Sequence, residues 1–160
     1  MSEAAVVFWT AFLSFLPVSE LRGAIPFAIA HQVPWYAAFA MAVFFNVLVA
    51  PACWIFLSTL HRLFLKMNWY QSFFRRFIER ARNKLHDNVE RWGWVGIAVF
   101  VAIPLPLTGA WTGTLGAWVL GLSKRKTMFA VILGVIVAGT IVTTVTLLGI
   151  QALNFFIKKI

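Results

Sequence analysis

Ionisable groups are what this sequence has least of. Of its 160 residues 12% are charged and only five are acidic, where soluble domains carry about 25% charged residues. With 61% hydrophobic residues and a mean hydropathy of +0.84, the chain reads as an integral membrane protein. Cysteine occurs once, at Cys53, which excludes an intrachain disulfide and a Cys-based metal site. In its apolar run Cys53 reads as a small packing residue. The histidines, His31, His61 and His86, stand far from one another and offer neither metal-ligand spacing nor an acid–base pair. No nucleophile is paired with a base, so an enzyme is not expected, and neither is a cofactor or a metal. The first apolar run lacks a basic flank, having only Glu3 before it, and no small-residue cleavage site precedes Pro17. It is therefore expected to be retained and not removed as a signal peptide.

What charge there is lies in one place. The net charge is +9, and eight of the fourteen basic residues fall within residues 62–91, between two apolar halves. That placement fits a cytoplasmic, positive-inside connector and argues against nucleic acid as a partner. Trp69, Phe73, Phe77, Ala81, Leu85 and Val89 recur every four residues, and basic side chains fill the other faces. The pattern predicts an amphipathic helix lying in the headgroup region. Arg75, Arg76, Arg80 and Arg82 would meet anionic lipid headgroups, at about 1 kcal/mol per residue.

The apolar runs set the topology. Residues 4–16 and 24–33 are each too short to cross a hydrocarbon core of about 30 Å. Together they fit a re-entrant helical hairpin. Residues 35–60 are long enough to span, with Asn46 available to bond a neighbouring helix and Pro51 expected to kink the run. Residues 92–122 are apolar but broken near their middle, and Lys124-Arg-Lys126 follows. If both basic clusters are cytoplasmic, this run cannot cross once, and a second hairpin resolves the conflict. Residues 127–156 span again, with Gly134, Gly139, Thr140, Thr143, Thr144 and Thr146 suggesting a close-packed helix face. The expected fold is thus an all-α membrane protein of one domain, residues 1–160. An inverted repeat, 4–60 and 92–157, places a re-entrant helical hairpin before a transmembrane helix in each unit, and the basic amphipathic helix 61–91 joins them. Inverted repeats with broken helices point to a transporter site at the midplane.

The broken stretches supply the candidate site. The first, Pro17-Val-Ser-Glu-Leu-Arg-Gly-Ala-Ile-Pro26, holds Glu20 and Arg22, the only charges within the apolar halves. A charge at the bilayer centre costs about 2.5–3.5 kcal/mol on insertion scales and marks a functional site by default. Arg22 suits an anion clamp, because its planar fork matches phosphate or carboxylate. Glu20 suits proton coupling, since burial and neighbouring charge move a carboxyl between its two forms. The bland alternative is an internal Glu20–Arg22 salt bridge. From the second stretch, Thr108, Gly109 and Thr112 are the expected substrate contacts, with helix N-termini adding N–H donors. Trp111 would pack on a lipid tail or wall the hairpin. Pro17, Gly23, Pro26, Pro104, Pro106 and Gly113 are expected to shape the hairpins.

Ser19-Glu-Leu-Arg-Gly-Ala-Ile-Pro26 and Ala102-Ile-Pro-Leu-Pro-Leu-Thr-Gly-Ala-Trp-Thr-Gly113 resemble the motifs of the small multidrug export protein family. That family is related to the larger DedA, SNARE-associated or VTT-domain superfamily. The resemblance covers nearly the whole chain. It departs at Leu107, where the usual motif has a glycine, a residue that reaches positive φ far more easily. The resemblance implies paired re-entrant hairpins in an inverted repeat, and membrane transport of the kind suggested for DedA-type relatives, proton-driven movement of lipid-carrier phosphates. The expected place is a prokaryotic cytoplasmic (inner) membrane, with the connector on the cytoplasmic side.

Three functions follow. The first is a proton-coupled transporter or lipid flippase for an anionic amphiphile such as a lipid-carrier phosphate or phospholipid. The second is a small proton-coupled exporter of lipophilic cations. The third is a non-transporting scaffold acting through its basic helix. The first needs Arg22, the second needs Glu20 alone, and the third needs neither. Much apolar surface would remain on a single copy, so a homodimer is expected.

Overall fold

A computed structural model describes residues 1–64, 93–105 and 108–157, with the backbone alone for 60–64 and 153–157. The described residues are helical with no strand among them. In chain order the helices are α1 (Glu3–Phe15), α2 (Glu20–Ala30), α3 (Trp35–Val47), α4 (Val49–Phe64), α5 (Gly93–Ala102), α6 (Ala110–Val119) and α7 (Lys124–Ile157).

Local chemistry sets the helix ends. Ser2 caps α1, its Oγ accepting from the Ala5 amide at 3.4 Å. The helix stops where Pro17 pushes its predecessor out of the helical region: Leu16 is extended, at φ −67° and ψ 135°. The interruption is shorter than the sequence pattern suggested. The chain returns to helix at Glu20, so Glu20, Arg22, Gly23 and Pro26 all belong to α2 and not to a loop. Pro26 therefore does not shape the turn. Lacking an N–H, it removes the helical donor of the Arg22 carbonyl, a loss membrane helices tolerate when neighbours re-satisfy the group.

Among the described residues, two stretches are long and apolar enough to cross a membrane. Trp35–Thr59 has 25 residues, about 38 Å of helix. Lys124–Ala152 has 29, about 44 Å. The first joins α3 and α4 through Leu48, where the regular helix is interrupted and Pro51 offers no N–H to the Val47 carbonyl. The four short helices would each measure only about 15–20 Å. Most of the connector 61–91 lies outside the described residues; 61–64 continue α4. Arg75, Arg76, Arg80, Arg82 and Pro106 are likewise outside them.

α1 packs on α2 and α3, α2 also on α3 and α7, and α6 on α4 and α7. The seams are built from small residues. Ala24, Ala28, Ala38, Ala42, Ala110, Ala117 and Ala130 are fully buried. A few branched side chains, among them Leu21, Ile25 and Val131, are buried with them, while many aromatic and branched side chains point outward, with Phe8 62%, Phe129 58% and Val145 63% exposed. A water-soluble core shows the reverse order. In lipid, burying a large apolar side chain gains little over leaving it in hydrocarbon, so close backbone approach decides packing. On α7 a Cβ at Gly134 would lie 2.7 Å from the Ala98 carbonyl, and one at Gly139 would lie 3.0 Å from Phe39 and Val43. Thr143 shares this buried face, whereas Thr140 and Thr144 are exposed and bond their own helix. The small-residue face of α7 is thus narrower than composition suggested.

Candidate coupling site at the start of α6

Glu20 opens α2 with φ +48°, a left-handed conformation uncommon for a side-chain-bearing residue. It is 5% exposed. Its carboxylate leaves its own helix and meets the first turn of α6. Trp111 N donates to Glu20 Oε1 at 3.4 Å, and the Ala110 amide faces the same group. The carboxylate rests against Gly109, in the space a Cβ would take. Gly109 is extended, at φ 177°, a conformation open to any residue, so space and not backbone freedom calls for glycine here. The first N–H groups of a helix have no intrahelical partner and carry partial positive charge. Glu20 supplies the missing acceptor from 91 residues away.

Arg22, two residues further along α2 and half-buried, takes a different partner. Its Nη2 donates to Thr108 Oγ1 at 3.2 Å. That hydroxyl is fully engaged. It accepts from the Leu105 amide at 3.1 Å, and its proton is shared between the Ile103 carbonyl at 2.6 Å and the Leu105 carbonyl at 2.8 Å. Thr108 therefore fixes the local turn and offers its remaining lone pair to the guanidinium. No other hydrogen bond of Arg22 occurs among the described residues, although a guanidinium carries five N–H donors. No hydrogen bond joins Glu20 to Arg22 either; each charge reaches a different part of the 108–111 segment.

Trp111 ties the same segment to α1. Its indole Nε1 donates to the Phe15 carbonyl at 2.9 Å, and its ring stands edge-on to Phe15 with centroids 5.7 Å apart. Asn46 of α3 caps the neighbouring carbonyl, its Nδ2 donating to Ser14 O at 2.8 Å while its buried Oδ1 has no partner. Two distant side chains thus satisfy the last carbonyls of α1, which Pro17 prevents the chain itself from reaching. Beneath Trp111 lies Cys53 of α4, buried, its thiol donating weakly to the Trp111 carbonyl at 3.9 Å.

Of the residues singled out from sequence, Glu20, Arg22, Thr108, Gly109 and Trp111 come together. Thr112 serves α6 itself, accepting from the Gly109 amide at 3.1 Å. Pro17 is exposed at the first turn, and Pro104 lies in the second interruption. A Cβ on Gly23 would strike Ser19 Oγ, and one on Gly113 would strike Val101 of α5, so both glycines permit close packing. Phe15, Ser14, Asn46 and Cys53 also build the site. Only the polarity of Asn46 in an apolar run signalled any of them. Chemically, the arrangement holds one cation with unused donors beside a helix N-terminus that already carries a carboxylate.

No curated protein and no solved structure matches the chain. The family described as "Putative small multi-drug export protein" matches residues 20–141, from Glu20 through the second interruption and well into α7. That stretch takes in every polar contact between α2 and the 108–111 segment, and on it the chain belongs to the small multi-drug export protein family.

Proposed function

We propose that this family member is a proton-coupled secondary transporter that moves an anionic amphiphile, such as a lipid-carrier phosphate or phospholipid, across the bilayer. The observation that carries the reading is Arg22: a half-buried guanidinium with a single hydrogen bond among the described residues, set beside the start of α6. A phosphate could take the remaining donors bidentately, which a lysine could not offer. Glu20 is the proton-coupling group, and Thr108, Gly109 and Trp111 frame the binding position.

In this reading α1–α2 and α5–α6 are re-entrant hairpins of an inverted repeat, related to the DedA architecture. The packing supports it. α2 lies against α7 while α6 lies against α4, and α2 also meets α3 while α6 meets α7, so these two short helices each touch both long segments in the same pattern. The C-terminal end of α4 and the Lys124-Arg-Lys126 cluster then both face the cytoplasm.

The test is mass spectrometry of the lipids that mildly purified protein retains, beside Arg22→Ala prepared identically. An anionic lipid enriched in wild type and lost in the variant is the expected result. Equal profiles, no richer than the bulk membrane, would remove Arg22 from the site. The family description favours a second reading, export of lipophilic cations with Glu20 alternating between proton and drug. Proton-driven cationic dye transport that survives Arg22→Ala and fails in Glu20→Gln would replace the first reading with this one.

A further inference from the structure

Among the described residues, three side-chain hydrogen bonds tie the first interruption to the second: Glu20 to the Trp111 amide, Arg22 to Thr108 and the Trp111 indole to Phe15. Two of them are indifferent to protonation near neutral pH, because a guanidinium and an indole keep their protons. The third depends on the charge of Glu20. We propose that Glu20 is a charge-operated latch, which as a carboxylate caps α6 and holds the 108–111 segment against the α1–α2 turn, and which lets that segment rise when it is neutral.

The fit of the closed state supports this. Gly109 gives the carboxylate its space, and the α6 amides give it donors whose attraction depends on full negative charge. A protonated carboxyl presents a neutral oxygen and an O–H to the same surface, and the O–H has no acceptor in a row of amide donors. The closed state also keeps Glu20 at φ +48°, a conformation that relaxes once the side chain is free to leave. Few other charges compete for the group among the described side chains. Of these, α2 contributes Arg22 and α4 the Cys53 thiol, and α1, α3, α5 and α6 bring no ionisable side chain to the contact. The described charges of α7, Lys124, Arg125 and Lys126, are confined to its first turn.

Release has a consequence for coupling. The Ala110 and Trp111 amides become available beside Arg22 only when Glu20 holds a proton. Proton and anion would then be bound together and cross in the same direction. That consequence rests on the anion reading of the preceding section; the latch itself does not.

The protein carries its own reporter. Cys53 is 3% exposed and lies under the Trp111 carbonyl, so lifting the start of α6 uncovers the only thiol in the chain. The experiment measures alkylation of Cys53 by N-ethylmaleimide in the full-length protein in lipid nanodiscs. Dividing by the rate for the same chain unfolded in detergent at the same pH cancels the thiol's own ionisation. Glu20→Gln is expected to react at least tenfold faster than wild type at neutral pH, with a protection that no longer changes with pH. A protection equal to that of wild type overturns the latch. Should Glu20→Gln not fold, Gly109→Ala decides, because it keeps both charges and only wedges the carboxylate off α6. Faster labelling is expected there too, and wild-type protection overturns the proposal. If Arg22→Ala keeps the wild-type lipid profile while Glu20→Gln exposes Cys53, the latch stands and the anion reading falls.

Discussion

The two interruptions solve the same problem with opposite means. The first, residues 16–19, is closed by a short turn and delivers two charges, Glu20 and Arg22, from the helix that follows it. The second, residues 103–109, delivers no charge within the described residues. It offers a hydroxyl, a glycine and the bare amides of α6. A buried charge without donors would be costly, and buried donors without an acceptor would be unsatisfied. Each interruption is stable because the other exists. The site is therefore a property of the joint between the two halves and not of either motif.

That comparison can be broken in order of expected effect. Gly109→Val puts a branched side chain where the Glu20 carboxylate lies, and overpacking of this kind costs about 1–3 kcal/mol, at the upper end here because a charge loses its donors too. Thermal unfolding in nanodiscs would show it, and a melting curve like that of wild type would mean the carboxylate has another place to go. Asn46→Ala strips the Ser14 carbonyl of its donor in a fully buried position, a loss of about 1–3 kcal/mol for the orphaned acceptor. The unpartnered Oδ1 leaves with it, so the lower half of that range is predicted by the same measurement.

Trp111→Phe separates the indole bond to Phe15 from the ring contact, and a loss of about 1 kcal/mol is expected. If stability is unchanged, the ring alone holds α6 to α1. The smallest effect is a contrast between neighbours. A Cβ on Gly113 would collide with Val101, whereas one on Gly116 meets Ile97 at 3.8 Å, an ordinary contact. Gly113→Ala should cost about 1 kcal/mol or more, and Gly116→Ala should be neutral or slightly stabilising, since alanine favours helix by about 1 kcal/mol over glycine. Equal melting temperatures for the pair would show that α5 and α6 are not in close contact.

Much of the fold was readable from composition and run length. The two spans, the short helices beside them and the breaks at the prolines follow from how much apolar helix a bilayer needs and from what proline does to its predecessor. What could not be read was the extent of each break. Pro26 argues locally against helix, yet α2 runs through it because tertiary packing outweighs one missing bond. Of the site, the residues Glu20, Arg22, Thr108, Gly109 and Trp111 stood out as polar groups or glycines in apolar surroundings. Their pairing did not. That Glu20 reaches Trp111 and Arg22 reaches Thr108 depends on contacts between residues 91 and 86 apart in sequence, which no local periodicity encodes. Ser14 takes part through its carbonyl alone, so its side chain carries no signal of it, and Phe15 adds to its carbonyl only a ring contact that one aromatic among many does not announce.

The alanine seams described above bear on how such a chain can change over generations. In a water-soluble core the harmful substitutions are those that shrink a side chain, at about 2–5 kcal/mol for leucine to alanine. Here Ala24, Ala28, Ala38 and Ala42 are already at the floor of size and fully enclosed, so nearly every drift at these positions enlarges. The protein's mutational landscape should run in the opposite sense: permissive over its bulky outer residues, such as Phe8 and Val145, which can be exchanged among themselves, and closed wherever two backbones meet.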